Sequence, residues 1–269
     1  MVHASNHTEE KYVATYRTQA ATYATAALKI DARDSNAIKA HRLLGASMEA
    51  AHHTPAPAAL AAIGDGNALL ETGQYAQAAL KYEAAIRIDP AYGAAWRSLY
   101  DALAAQEKFS DAQAAALGAL ATMPSVKPNW HRVAESMERA GRPLSTFLWR
   151  ARAGVTPQGI EIDPGAPESD SAAWMAYALS LAVEESGPPF ARELAAWNST
   201  LQIIGEMGST AKIHDPGLRD MIRFNAGGQL KAALFALHYN EAWRAEFEAW
   251  KKAGPDGLKR FVETFRTGL

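Results

Sequence analysis

The sequence predicts an all-α protein in which pairs of helices repeat along the chain and further helices follow. Two observations lead to this fold class. Residues in the middle of the chain recur at a constant spacing of 34, which is typical of a repeat architecture. In the C-terminal third, apolar residues follow the period of an α-helix. Because 48% of the 269 residues are apolar, the chain can bury a sizeable core.

The recurring positions combine large, small and helix-ending residues. They are Tyr75 with Phe109, Ala78 with Ala112, Ala85 with Ala119 and Ala153, Pro90 with Pro124, Trp96 with Trp130, Leu99 with Val133, and Leu103 with Met137. Small residues let two antiparallel helices approach closely, and large ones fill the space between successive pairs. Gly73 is placed to end the first helix of a pair, and Pro90 and Pro124 to end the second.

This pattern resembles the signature of the tetratricopeptide-repeat (TPR) family, W-x2-L-G-x2-Y, then A-x3-F, then P. Within a repeat region of 58–160, it places repeats at 59–92, 93–126 and 127–160, the last of them degenerate. The resemblance implies a right-handed α-solenoid of helical hairpins. Residues 1–57 are then N-terminal capping helices that form a degenerate repeat.

The chain departs from the family pattern at several places. Ala62 and Asp65 stand where the family favours Trp and Leu, and Tyr100 replaces a small residue. One TPR subfamily holds a C-terminal carboxylate with a lysine–asparagine pair and further basic residues. This chain keeps Asn67 but has Ile63 in the lysine position, so a clamp of that type is not predicted.

A linker and a helical C-terminal region follow the repeats. Residues 154–170 contain three prolines and three glycines, which predicts the linker. In the C-terminal helical region, 161–269, apolar residues at helical spacing include Phe190, Leu194, Trp197, Leu201 and Ile204. Its aromatic content favours a packed unit, either irregular pairs that continue the array or a separate cap. The most apolar segment, 172–183, is too short to span a membrane and predicts a buried core helix.

Composition and motifs narrow the classes of function. The net charge of −2 gives no basic footprint for nucleic acid. Without cysteine, the chain cannot form disulfides, zinc–thiolate sites or iron–sulfur clusters. It carries no hydrolase, nucleotide-binding or zinc-ligand motif, so we predict no catalytic site, cofactor or metal. The polar N-terminus predicts a cytoplasmic protein, or a periplasmic one if the chain is a processed mature form.

The resemblance also implies where a partner would bind. TPR arrays expose the inner faces of their first helices along a concave groove, and the fifth and ninth positions of each repeat point into it. With one further glutamate, the polar residues predicted to bind a partner are Asn67, Arg97, Asp101, His131, Glu135 and Glu138. Such residues fit recognition of an extended or helical peptide. The alternative is that they form an ordinary solvated helix face.

The function predicted from these observations is a non-catalytic scaffold that binds a protein or peptide partner through the concave surface. A first alternative is a regulator or assembly factor that acts through its C-terminal helices. A second is an all-α enzyme with a site between the repeats and the C-terminal region. The second alternative requires buried acids or histidines with shifted pKa values around a common pocket.

Overall fold

The computed structural model describes six stretches of the chain: residues 53–148, 152–156, 159–163, 170–183, 187–206 and 213–268. This part of the chain is mostly helical, as predicted, with a few short strands. The predicted capping helices at 1–57 lie outside the described residues except for their last five positions. The chain divides into two compact units, 1–144 and 145–269.

The described part of the first unit consists of helices that pack consecutively. They are α1 (Pro57–Glu71), α2 (Tyr75–Ile88), α3 (Gly93–Ala105), α4 (Phe109–Thr122) and α5 (Lys127–Arg139). Three residues join α1 to α2, and three join α3 to α4. The two helices of each pair pack against each other, and α2 and α4 also pack against the helix that follows.

The turn at the end of each first helix has the same geometry three times. Gly73, Glu107 and Gly141 adopt left-handed backbone, with φ of 74°, 63° and 69°. The backbone N–H of each donates to the carbonyl three residues earlier, and the next N–H donates to the carbonyl five residues earlier. This is the Schellman arrangement, which satisfies the last carbonyls of a helix. It recurs at the repeat period found in the sequence.

The turn after each second helix is tied to the helix that follows. The indole N–H of Trp96 donates to the carbonyl of Pro90 at 2.9 Å, and that of Trp130 donates to the carbonyl of Pro124 at 2.9 Å. A tryptophan removed from water needs such an acceptor for its only donor. The two bonds are also separated by one repeat period, so the repetition extends to side-chain geometry.

Paired helices approach closely where a small residue faces a large one. In α1, a Cβ atom on Gly66 would lie 2.6 Å from Cε1 of Tyr82 in α2. The equivalent positions of the next repeat hold Tyr100 and Ala116, so the large and small residues are exchanged. The replacement of a small residue by Tyr100 is therefore accompanied by a matching loss of volume on the second helix.

The third predicted repeat, 127–160, is wrong in its second half. Helix α5 is present, but the described residues that follow it form β1 (Ser145–Thr146) and the antiparallel strands β2 (Ala153–Thr156) and β3 (Gly159–Ile162). The strands also occupy the first half of the predicted linker. β-Branched valine, threonine and isoleucine favour strands, and Gly159 has a φ of 127° that suits glycine. The first compact unit correspondingly ends at residue 144 rather than 160.

The second unit combines these strands with further helices. They are α6 (Ser171–Val183), α7 (Pro189–Glu206), α8 (Pro216–Ala226), α9 (Leu230–Leu237), a 3-10 turn (Glu241–Trp243), α10 (Arg244–Ala253) and α11 (Gly257–Phe265). Strand β1 pairs in parallel with β4 (Thr267–Gly268). The hairpin of β2 and β3 packs on α6, which in turn packs on α7.

Aromatic residues build the core of the second unit. The Phe235 ring stacks on Phe190 with centroids 4.2 Å apart, and it lies 5.2 Å from the ring centroids of both Phe247 and Trp250. Such pairs stabilise a core beyond the area they bury. The prediction that the C-terminal region is a packed unit is therefore confirmed.

Helix α6 differs from its predicted role as a buried core helix. Trp174 and Ala178 are fully buried, but Met175, Leu179 and Val183 are 37%, 48% and 81% exposed. These three residues are spaced by four, so they follow one side of the helix. The segment is apolar on both faces, and only one of them is covered.

Candidate functional site

The six residues predicted to bind a partner lie on three helices of the first unit. Asn67 is in α1, Arg97 and Asp101 are in α3, and the other three, His131, Glu135 and Glu138, are in α5. Glu138 is exposed, and Asn67 and His131 are half-buried.

The remaining three residues are buried, so the prediction of solvent-facing groove residues is wrong for them. Arg97, Asp101 and Glu135 are 0%, 2% and 5% exposed. For these three residues the alternative of a solvated helix face is wrong for the same reason. Charged groups can lie at such depth when other groups compensate their charge.

Asp101 forms an ion pair that joins α3 to α5. Arg132 donates from Nε to Oδ1 of Asp101 at 3.1 Å and from Nη2 to Oδ2 at 3.0 Å. Both side chains are almost entirely buried. Two parallel bonds between a guanidinium and a carboxylate fix distance and orientation together. The pair therefore sets how α3 lies against α5.

Glu135 has two kinds of partner. It accepts from Nη2 of Arg139 at 3.0 Å and from Nε at 3.3 Å, one turn further along α5. Tyr100 of α3 also interacts with it: burial raises the pKa of Tyr100 well above its usual value, and the charge of Glu135 and a hydrogen bond to it add to the shift. The Arg132 guanidinium lies 5.8 Å from the Tyr100 ring centroid. Glu135 thus belongs to the same cluster as the Asp101–Arg132 pair.

Asn129 connects Arg97 to the turn after α4. Its Oδ1 accepts from Nη1 of Arg97 at 3.2 Å, and its Nδ2 donates to the carbonyls of Ala119 and Met123, both at 2.9 Å. The amide is fully buried. The set that joins α3, α4 and α5 is here called the buried polar network: Arg97, Tyr100, Asp101, Asn129, Arg132 and Glu135.

Sequence reasoning found half of this network and missed the rest. Arg97, Asp101 and Glu135 occupy the fifth and ninth repeat positions, whereas Arg132 and Asn129 do not. The signal that could have found Arg132 is charge complementarity with Asp101. Arg132 comes one position after His131, the repeat equivalent of Arg97, so it places a positive charge on the first helix of the repeat after the one with Asp101. Asn67 is placed differently: it accepts from the Tyr82 hydroxyl at 2.9 Å within the first pair.

His131 lies next to the network and is biased toward its neutral form. Burial lowers its pKa, and the positive charges of Arg132 and Lys127 lower it further. A neutral imidazole offers one donor and one acceptor. The Asp101 carboxylate of the network accepts from the Arg132 guanidinium, which anchors α3 to α5.

The second unit holds a separate group of buried titratable residues. Oε1 of Glu193 accepts from the Tyr177 hydroxyl at 2.8 Å and from the Trp197 indole at 3.0 Å. Burial raises the pKa of Glu193 and of Tyr177, and burial lowers the pKa of His238 to about 4. The His238 ring lies against those of Trp197 and Phe147, with centroids 6.4 and 5.5 Å away.

The described residues also bear on metal binding and on membrane insertion. Among the described residues, no group of three or more His, Asp or Glu side chains could hold a metal ion. His53 instead lies against Asp89, with Nε2 and Oδ2 2.9 Å apart. His3, His7 and His52 lie outside the described residues. Within the same described ranges, no helix combines the length and apolar character needed to cross a membrane.

Known proteins give no further guide to this site. The chain matches no model of a known protein family, no curated protein and no solved structure.

Proposed function

We propose that this protein is a non-catalytic interaction scaffold of the TPR type, whose first unit binds a protein or peptide partner. The observation that carries the proposal is the repetition of one helix-pair geometry at the period of the sequence, in both the Schellman turns and the Trp96 and Trp130 hydrogen bonds. Stacked pairs of this kind form an extended surface on which partners bind. A helix or an extended segment is the kind of partner such a surface accommodates.

The buried polar network has a supporting role in this proposal. Its members hold α3 and α5 at a fixed separation and orientation. The groups that would meet the partner are the accessible ones on α5, above all Glu138 and the neighbouring Arg139. The Arg139 guanidinium lies 5.2 Å from the ring centroid of Phe109, which is itself exposed. This end of α5 therefore offers charge beside an apolar ring.

Capture of a partner by the tagged full chain tests the proposal. Glu138→Lys reverses an exposed charge at the proposed surface, and Glu83→Lys makes the same change at an exposed position of α2. We expect the wild type and Glu83→Lys to retain one partner from lysate of the source organism, and Glu138→Lys to lose it. Circular dichroism checks that all three chains are folded. Equal capture by both variants would show that the partner binds elsewhere, and no capture by the wild type would count against a scaffold.

A second candidate function is a regulator or assembly factor that acts through the C-terminal helices. The exposed apolar side of α6, formed by Met175, Leu179 and Val183, favours it. A contiguous exposed apolar surface on a folded protein commonly marks a contact with another protein. This candidate places the contact in the second unit rather than the first.

Serine substitution separates the second candidate from the first. Met175→Ser, Leu179→Ser and Val183→Ser together remove the apolar side of α6. Leu60→Ser, Leu80→Ser and Ile88→Ser make a matched change at three exposed aliphatic residues of the first unit. Light scattering after size-exclusion chromatography would show loss of an assembly only in the α6 variant. An unchanged mass in that variant would remove the support for this candidate as an assembly through α6.

A further inference from the structure

The second unit contains a cleft that shares no lining residue with the exposed side of α6 or with the proposed surface of the first unit. Its volume is about 590 Å³, which is within the range of small-molecule sites. Helix α7, the turn between α8 and α9, and parts of α9, α10 and α11 line it. The buried titratable residues Glu193, Tyr177 and His238 are not among the lining residues.

The charged residues that line the cleft have one sign. They are Lys231 of α9 and Arg260 of α11, and no acidic residue of the described chain lines the cleft beside them. Across the described ranges, neither of these two cations forms an ion pair. Other basic residues of this unit do, as Arg223 does with Asp220 at 2.9 Å. Two uncompensated cations at one concavity raise the local concentration of anions.

The remaining polar groups suit an anion with further hydrogen-bonding atoms. Asn198, Asn225 and Gln229 also line the cleft, and the Gln229 amide donates to the Thr264 hydroxyl at 3.5 Å. The N-terminus of α9 opens at the same place, and Gln229 at its N-cap makes no capping hydrogen bond with its side chain. The first backbone N–H groups of a helix add donors and a partial positive charge.

One wall of the cleft is aromatic. Trp250 lines it and packs over Gly257, where a Cβ atom would lie 2.4 Å from Cη2 of the indole. Glycine at this position thus lets the ring approach the backbone at the start of α11. A half-buried indole provides a flat apolar surface for part of a ligand.

We propose that this cleft binds a small organic anion, with a phosphate or carboxylate group held by Lys231 and Arg260 and an apolar or planar part against Trp250. The inference is independent of partner binding by the first unit. It assigns a ligand to the second unit, whose helices the TPR resemblance does not cover.

Calorimetric titration of the full chain with four probes tests the inference. AMP combines a phosphate with a planar base, citrate carries carboxylates without one, inorganic phosphate is the anion alone, and adenosine is the base without charge. We expect AMP to bind with a Kd below about 1 mM and adenosine not to bind. Binding of citrate tighter than that of AMP would mean that Trp250 holds no part of the ligand and would overturn the proposal. Binding of inorganic phosphate alone would mean an adventitious ion only and would overturn the proposal.

Variants with matched charge changes locate the binding. Lys231→Gln with Arg260→Gln removes both cations of the cleft. Lys252→Gln with Lys259→Gln removes two exposed cations from α10 and α11 that do not line it. We expect the Kd of the bound probe to rise at least about tenfold in the first variant and to stay unchanged in the second. Equal weakening in both, or no binding of any probe to the wild type, would overturn the proposal.

Discussion

The two units of this protein are both helical, but they hold their helices together in different ways. The first unit repeats one arrangement: the same turn, the same tryptophan hydrogen bond, and a large residue facing a small one. The described part of the second shows no such repetition and relies on an aromatic core with buried titratable groups. Repetition makes local geometry predictable from residue identity, whereas an aromatic core depends on contacts between distant parts of the chain.

The buried ion pair gives the largest expected effect. Arg132→Met leaves the Asp101 carboxylate buried without its bidentate donor, so we expect the free energy of unfolding to fall by about 3–5 kcal/mol. In the double variant with Asp101→Leu, the uncompensated charge is gone and most of this loss should be recovered. Chemical denaturation of the full chain measures both. A double variant as unstable as the single one would show that packing, not charge, accounts for the loss.

The second unit should respond to acid through His238. Burial lowers the pKa of this histidine to about 4 in the folded chain, whereas an unfolded histidine titrates near 6.5. The folded state therefore binds fewer protons between these values, and stability falls as the pH is lowered from about 6.5 to 4, by about 3 kcal/mol in total.

The variant His238→Gln isolates this contribution. Burial raises the pKa of Glu193, which acts in the opposite direction because it favours the folded state at low pH. The difference in unfolding free energy between the wild type and His238→Gln removes that background. We expect the wild type to lose stability relative to His238→Gln as the pH falls from 7 to 4.5. A constant difference would mean that His238 binds its proton with the same pKa in the folded and the unfolded chain.

Close packing in the first unit gives the next effect. A Cβ atom on Gly118 of α4 would lie 2.3 Å from Cε3 of Trp96. Gly118→Ala should therefore cost about 1–3 kcal/mol through displacement of the indole. Gly64→Ala is the control, because nothing lies within 4 Å of its added methyl group, and alanine should raise helix stability by up to about 1 kcal/mol. Thermal unfolding of both variants measures the contrast, and equal shifts would show that Trp96 moves at no cost.

The smallest expected effect concerns the one turn of the three without glycine. Glu107 adopts a φ of 63° where its counterparts are Gly73 and Gly141. We expect Glu107→Gly to raise the unfolding free energy by up to about 1 kcal/mol. Glycine removes the cost of left-handed backbone in the folded chain, and its greater loss of conformational entropy on folding offsets part of that gain. Gly73→Ala should lower the unfolding free energy by about 1 kcal/mol, because alanine is disfavoured in left-handed backbone. No neighbour crowds that position, so no clash adds to this loss. A loss of stability in Glu107→Gly would show that its side chain contributes more than its backbone costs.

The sequence predicted those features of the first unit that depend on neighbouring residues. Gly73 indicated the turn after a first helix, and Trp96 and Trp130 marked equivalent helices, because capping and tryptophan geometry are decided within a few residues. The burial of Arg97 and Asp101 was not predicted, since their partners Asn129 and Arg132 come from another helix. The position of a residue within the repeat indicates where its side chain points, but it does not indicate which other residues cover that side chain.

The errors further along the chain have related causes. Ala153 matches the repeat period, yet it begins strand β2 because the β-branched residues after it favour a hairpin. Helix α6 is apolar all round, which predicts burial, but the structure covers the face with Trp174 and leaves that of Leu179 exposed. The first outcome follows from residues that the repeat pattern does not include, and the second depends on contacts between distant parts of the chain.

The affinity of a captured partner for two variants of the full chain tests the central claim most directly. Glu138→Lys alters the proposed surface of the first unit, and the combined Met175→Ser, Leu179→Ser and Val183→Ser variant alters the exposed side of α6. Measured by calorimetry, the Kd should rise at least about tenfold for Glu138→Lys and remain unchanged for the α6 variant. The reverse result, with binding lost only in the α6 variant, would contradict the claim and assign the partner to the second unit.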